Sequence, residues 1–193
     1  MKYLLLLAMS LTIALASQNA MAISWAKINK PLVVSSDKSI CVEIPVGWVR
    51  AYDDRNQILA TYDGLPIQAI EVLRDKHSDK VFEKIEKSSN GNMLASELAE
   101  LVIAEMKAQS EMVHVNVIDN GPAMIGKNQG FKVQVTYRNQ KGLEYGQIIY
   151  GFADEKNLYR LFYRAPIIRY FERDKKTFEQ VVSSFKKGEK ALY

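Results

Sequence analysis

The sequence predicts an α+β domain built around an antiparallel sheet, and three observations carry that prediction. Long segments alternate apolar and polar residues with a period of two, as half-buried strands do. The breaks between them hold Gly, Asn and Asp, the residues of tight turns. Two stretches switch to the spacing of amphipathic helices, one in mid-chain and one near the C-terminus.

Ahead of the first element, residues 1–22 have the layout of a secretory leader. Lys2 supplies a positive start, Leu4 to Ala16 is mostly apolar without charge, and Ala20, Met21 and Ala22 form a small-x-small cleavage site before Ile23. Gln18 and Asn19 end the apolar run short of the roughly 20 residues that cross a bilayer. The expectation is an exported chain, periplasmic or secreted and soluble, with residues 23–37 as an N-terminal extension, 38–187 as one domain and 188–193 as a tail. Lipidation is not expected, because Cys41, the single thiol, lies far from the cleavage point. One Cys makes no internal disulfide, so the core alone must hold the domain. Cys41 sits between Ile40 and Val42 and reads as a buried structural thiol.

The elements follow in order. Ser39 to Pro45 alternates as a strand, Gly47 and Trp48 turn it, and Ile58 to Tyr62 makes a second. Asp63 and Gly64 turn into a third, Ile67 to Leu73. Val81, Phe82 and Ile85 then mark a short helix; Asn90, Gly91 and Asn92 break it from a longer one carried by Leu94, Leu98, Leu101 and Val102. Met112 to Asp119 reads as a strand, Asn120 to Pro122 as a turn and Met124 to Gly126 as a short strand. Phe131 to Tyr137, Leu143 to Ala153 and Leu158 to Arg164 form a three-strand meander. After Pro166 the pattern is helical again, with Asp174 as an N-cap candidate and a stripe of Phe178, Val181, Val182 and Phe185.

Turn length sets register in such a meander. A four-residue turn at Asn139 to Gly142 puts Arg138 opposite Leu143, Gln134 opposite Gln147 and Val133 opposite Ile148. A second, at Asp154 to Asn157, puts Tyr150 opposite Leu161 and Gln147 opposite Arg164. One face then carries Phe131, Val133, Val135, Ile148, Tyr150, Leu161 and Tyr163 and is core. The other carries Lys132, Gln134, Thr136, Tyr145, Gln147, Ile149, Arg160, Phe162 and Arg164, basic and aromatic without an acid. Guanidinium groups beside aromatic rings are the side chains that most often carry interface energy. Lys132, Gln134, Tyr145, Gln147, Arg160, Phe162 and Arg164 are therefore the candidate partner-binding face.

Other chemistries find little support. Two His, one Cys and no Cys/His cluster exclude a zinc finger, a disulfide scaffold and a cysteine-ligated cluster. A formal charge of +4, from 26 basic against 22 acidic residues, is too small and scattered for a nucleic-acid footprint. No Gly-x-Ser-x-Gly, His-Glu-x-x-His, Walker or dinucleotide glycine pattern occurs, and the glycines read as turn residues. His114 reads as a strand histidine satisfied by a neighbour, and His77 as part of a solvated loop. Asp53, Asp54 and Asp63 read as turn aspartates, and Arg169 to Lys176 as a mixed-sign helix connection. No catalytic, metal or cofactor residue is expected.

Val42, Glu43, Ile44, Pro45, Gly47 and Trp48 form a strand ending in Pro-x-Gly-Trp. Ile125 and Gly126 precede the Phe131 strand, and Tyr163, Ala165, Pro166, Tyr170 and Phe171 lead to a last helix ending Ser183, Ser184, Phe185. With the order of elements, these motifs resemble the PsbP-like family over about residues 38–187. The family includes the photosystem II PsbP subunit, a yeast Ran-binding protein and bacterial exported proteins of the DcrB type. The resemblance implies an antiparallel sheet of about six or seven strands with helices packed on both sides, an α/β/α sandwich. It brings no shared catalytic site. The functional expectation is a non-enzymatic exported binding or accessory protein that docks on another protein or an envelope component. The second class left open is a small-ligand binder or hydrolase using a pocket between sheet and helices.

Overall fold

The computed structural model describes residues 24–52 and 57–188, so the expected leader, Asp53, Asp54 and residues 189–193 lie outside the described residues. Among the described residues, eleven strands and two helices follow one another. They are β1 (Ser24–Lys27), β2 (Leu32–Val34), β3 (Ile40–Glu43), β4 (Val49–Tyr52), β5 (Gln57–Thr61), β6 (Ala69–Lys76), α1 (Ala95–Ala108), β7 (Val113–Ile125), β8 (Asn128–Arg138), β9 (Glu144–Ala153), β10 (Asn157–Pro166), α2 (Phe171–Ser183) and β11 (Lys186–Lys187). Eight strands form one antiparallel sheet, ordered β1-β4-β5-β6-β10-β9-β8-β7; three form a small sheet, β11-β3-β2. Helices pack on both faces of the large sheet, as expected. The segment read as an extension contributes β1 and β2, too short to show as periodic runs.

Connectivity decides which part of each face is covered. β6 lies in mid-sheet and β7 at an edge, so α1 must cross between them, and it packs over β7, β8 and β9. Its stripe of Leu98, Val102, Ile103 and Met106 buries against Phe131, Val133, Val135 and Ile149. Among the described residues, the same face over β10, β6, β5 and β4 receives no helix. On the other face α2 packs over β9 and β10 and against β3. There Phe178, Val181, Val182 and Phe185 meet Ile148, Tyr150, Leu161 and Tyr163, each burial of such a side chain contributing roughly 1.5–3 kcal/mol. Cys41 is buried in β3.

Three local expectations are corrected. Residues 81–87 are not a helix but a loop closed by a Phe82–Lys87 bridge, with Glu105 of α1 accepting the N–H groups of Lys84 and Ile85. The apolar spacing there comes from Phe82 anchoring in the α1-side core, and so short a stretch does not repay helix nucleation. Asn120 to Pro122 is no turn: β7 runs through it as an edge strand, with Asn120, Gly121 and Pro122 in regular pairing with Val133, Lys132 and Phe131, and an edge strand tolerates Pro. The irregularities of β7 lie earlier, between Val113 and Asn116 and between Val117 and Asp119. Nor is Asp174 an N-cap, since α2 begins at Phe171 and Asp174 lies in its first turn.

The fourth correction changes the faces. Arg138 pairs with Glu144, Gln134 with Ile148 and Val133 with Ile149, one residue away from the expected register. The turn holds five residues because the Asn139 carboxamide oxygen accepts the N–H groups of both Lys141 and Leu143, with Gly142 at φ +81. The β9–β10 register is the expected one, Tyr150 opposite Leu161 and Gln147 opposite Arg164. An odd loop therefore turns β9 and β10 over relative to β8.

Candidate functional site

The one-residue shift splits the expected binding face. Lys132 and Gln134 lie on the α2 side, where Lys132 pairs with Glu179 at 3.3 Å and stands over the Tyr150 ring at 5.5 Å. Tyr150 in turn donates its hydroxyl to Glu179 at 2.5 Å, and burial, reinforced by that carboxylate, pushes the phenol far above its ordinary range. Tyr145, Gln147, Arg160, Phe162 and Arg164 lie on the α1 side, together with Phe131, Val133 and Val135, which the sequence placed with the opposite set.

These five are not equivalent. Arg160 is half-buried and paired with Asp75 of β6, its guanidinium also facing the rings of Phe162 at 5.3 Å and Phe82 at 6.0 Å. Tyr145 stacks on Tyr137 with centroids 5.6 Å apart and donates its hydroxyl to the Pro66 carbonyl at 3.2 Å. Burial pushes the Tyr137 phenol up, and the Arg164 guanidinium beside it opposes the rise. Gln147, Phe162 and Arg164 meet at a cleft of about 300 Å³ where α1 runs out. Ala69 and Glu71 of β6 complete its floor, and Gln109 and Met112 after α1 form its wall. Sequence reasoning missed Glu71, although an acid inside the apolar run Ala69 to Leu73 is a signal that it faces something other than core.

Beyond this cleft the uncovered face turns apolar. Ala51, Leu59, Ala69 and Leu65 cluster, and past them Trp25, Val49, Tyr62 and Pro66 line a second hollow with Leu65. Trp25 is 40% exposed and Tyr62 55%. The β5–β6 loop is held rigidly: Arg173 of α2 bonds to Asp63 and, at 2.6 Å, to Asp174, while Gln68 donates to Asp174. Asp63 is thus tied to a helix start, where a carboxylate is favoured by the helix dipole.

A larger groove of about 880 Å³ lies on the opposite side, between β3, the β7–β8 turn and the end of α2. Its charged lining is Glu43 with Lys127, Lys186 and Lys187, all exposed. His77 is no solvated residue. Its Nε2 donates to the Asp154 carbonyl at 2.8 Å, which leaves Nδ1 to accept the Ser89 hydroxyl at 2.8 Å. Ser89 is only 4% exposed, so the pair secures the loop before α1 and offers no accessible nucleophile. His114, expected to find a neighbour, is exposed at the β7 irregularity with φ +55. The glycines expected in turns include Gly130, Gly146 and Gly151, which lie inside strands where a Cβ would collide with neighbouring rings or backbone.

No protein-family model matches the sequence, and no curated protein does. Solved structures do match. Cyanobacterial PsbP (CyanoP) from Synechocystis superposes with a TM-score of 0.55 at 13% identity, covering 90% of this chain and 99% of its own. LpqN of Mycobacterium tuberculosis, described as involved in cell envelope biogenesis, gives 0.55 at 11% identity, covering 86% and 91%. The Saccharomyces cerevisiae Ran-binding protein Mog1p gives 0.54 at 10%, covering 86% and 99%. A Bacteroides thetaiotaomicron protein gives 0.51 at 10%, and this chain spans half of its length. Superposition over most of the chain at such low identities establishes architecture alone: the chain has the PsbP-like fold.

Proposed function

We propose that the chain is an exported, non-enzymatic binding or accessory protein, and that it docks on another protein or an envelope component through the uncovered part of its α1-side face. The observation that carries this reading is that α1 stops short. It leaves Phe162 and Arg164 beside an accessible apolar stretch of Leu65, Pro66 and Trp25. An aromatic and apolar patch with an arginine at its rim has the composition of interface hot spots. Two proteins of the same fold carry names that point the same way, one Ran-binding and one involved in cell envelope biogenesis. Lys132 and Gln134 belong to the α2 side and fall outside the proposed surface.

The test is site-specific photo-crosslinking in the native host. A crosslinker at Leu65 should give a discrete adduct that Arg164→Ala combined with Trp25→Ala removes, while one at Lys175 on the α2 side should give none. Equal adducts from both faces, or none from Leu65, would overturn the surface. Mass spectrometry of the same material should find Ile23 at the N-terminus without lipid; an intact Lys2 would overturn export by cleavage.

A further inference from the structure

The cleft at the end of α1 holds a buried carbonyl oxygen without a donor and two opposite charges without an ion-pair partner among the described residues, Arg164 reaching only the neutral hydroxyl of Tyr137. Gln147 is 6% exposed, and its Oε1 is buried without a hydrogen-bond donor. Buried carbonyl oxygens are satisfied in the great majority of cases, so each exception calls for a cause. Arg164 and Glu71 line the same cleft, and among the described residues neither has an ion-pair partner. Arg164 pairs across the strands with Ala69, and Phe162 with Glu71, so the two charges occupy diagonal positions. Diagonal neighbours stand roughly 7–8 Å apart, a spacing that admits a small molecule between their head groups. Phe162 and Met112 add apolar surface beside them.

Each simple occupant leaves something wrong. A lone anion answers Arg164 but leaves Gln147 Oε1 without a donor and adds negative charge beside Glu71. A lone amine answers Glu71 and Gln147 and leaves Arg164 facing a second cation. Water gives Gln147 its donor and neutralises neither charge. A molecule with a primary ammonium and a carboxylate on one carbon satisfies all three, with N–H groups toward Glu71 and Gln147 Oε1 and the carboxylate toward the Arg164 fork. We propose that this cleft is a binding site for a free α-amino acid, whose side chain rests on Phe162 and Met112. The volume of about 300 Å³ accommodates a ligand of that size. This goes beyond the docking reading and stands without it, since the purified chain alone contains every group required.

The experiment is calorimetric titration of the purified chain with each common L-amino acid at millimolar concentration. Any hit is followed by its N-acetyl derivative, which lacks the ammonium, and its carboxamide, which lacks the carboxylate. At least one free amino acid should bind with one-to-one stoichiometry, and both derivatives should bind about tenfold or more weaker. Glu71→Gln and Arg164→Gln should each weaken binding by a similar factor. Gln147→Met should also weaken it while thermal stability is retained or raised, because the unsatisfied carbonyl is gone. In the wild-type chain, ligand-induced amide shifts should centre on Glu71, Gln147, Phe162 and Arg164, which keeps the test valid if a variant does not fold. Overturning results are no binding by any amino acid, equal binding of acetate or ethylamine, or shifts centred elsewhere. Absence of any adduct from the Leu65 crosslinker, with amino-acid binding intact, would sink the docking surface and leave this site standing.

Discussion

Arg160 on β10 holds Asp75 on β6 through two guanidinium nitrogens, Nε at 3.1 Å and Nη2 at 2.7 Å from the same carboxylate oxygen. The side chains are 14% and 23% exposed, so water screens the pair only in part. Removing one partner leaves the other half-buried and uncompensated. Arg160→Ala should therefore lower folding stability by roughly 1–3 kcal/mol, whereas Arg164→Ala, exposed and without an ion-pair partner among the described residues, should stay within about 0.5 kcal/mol. Urea denaturation of the two single variants reads the difference directly. Equal effects would mean that the two arginines share one role.

Phe185 follows the last turn of α2 and is 2% exposed, with its ring edge-on to Phe152 at 5.6 Å and Tyr159 at 5.8 Å. Phe185→Ala should cost about 3–5 kcal/mol, the range for emptying an aromatic core position. Without a disulfide to support the fold, the melting temperature should fall steeply. An unchanged melting temperature would mean that this ring cluster is peripheral to stability.

Gly146 of β9 lies under the Phe171 ring, and a Cβ there would come within 2.6 Å of it. The ring cannot retreat easily, because it is stacked on Tyr163 with centroids 5.6 Å apart. Gly146→Ala should destabilise by roughly 1–3 kcal/mol through overpacking. Adding Phe171→Leu should recover part of that loss, so a double-mutant cycle should show coupling between the two positions. Strict additivity would place the strain elsewhere.

Asp154 gives a pH dependence with a definite sign. Burial pushes its carboxyl up, but a hydrogen bond from Lys187 and backbone N–H groups of Lys156 and Asn157 outweigh it and bring the pKa to about 2. A folded value below the unfolded one makes the contribution full above the unfolded pKa of about 3.9 and lost as pH falls through about 2. Lys187 is 40% exposed, so solvent reduces the effect to about 1 kcal/mol. The stability gap between wild type and Asp154→Asn should be constant near neutrality and close between about pH 4 and pH 2. A gap that persists at the acid end would show that the turn, not the charge, is what the variant damages.

The sequence made the strands and the two long helices legible because period-two and helical stripes report burial, and burial is what the fold imposes on them. The α2 stripe of Phe178, Val181 and Val182 lies in the core as its spacing requires. The short strands β1, β2 and β4 have three or four residues each and offer too few positions for a period. Phe82 and Ile85 mimic a helix because anchoring a loop also demands apolar residues. The candidate face turned on one side chain: Asn139 folds back on its own turn, adds a residue to it, and exchanges the partners of every position in β8. Hydrophobic pattern alone could not reveal this, since both faces of the sheet are covered in part and either register buries Val133. Gln147, Phe162 and Arg164 stayed together because the β9–β10 turn has the four-residue length that its composition suggests.

The small sheet joins distant parts of the chain. β3 lies between β2 and β11, and the Glu43 N–H donates to the Ser184 hydroxyl across 141 positions of sequence. Such a clasp forms only after nearly the whole domain has been synthesised, because the loop it closes contains most of the chain. Its Val42 and Ile44 share a core with Phe178 and Phe185, so both ends of that loop are committed in one late event. Contacts of such long sequence separation slow folding. A chain truncated before Ser184 should thus leave β3 unpaired on one side and lose the domain as a unit, not merely its last strand.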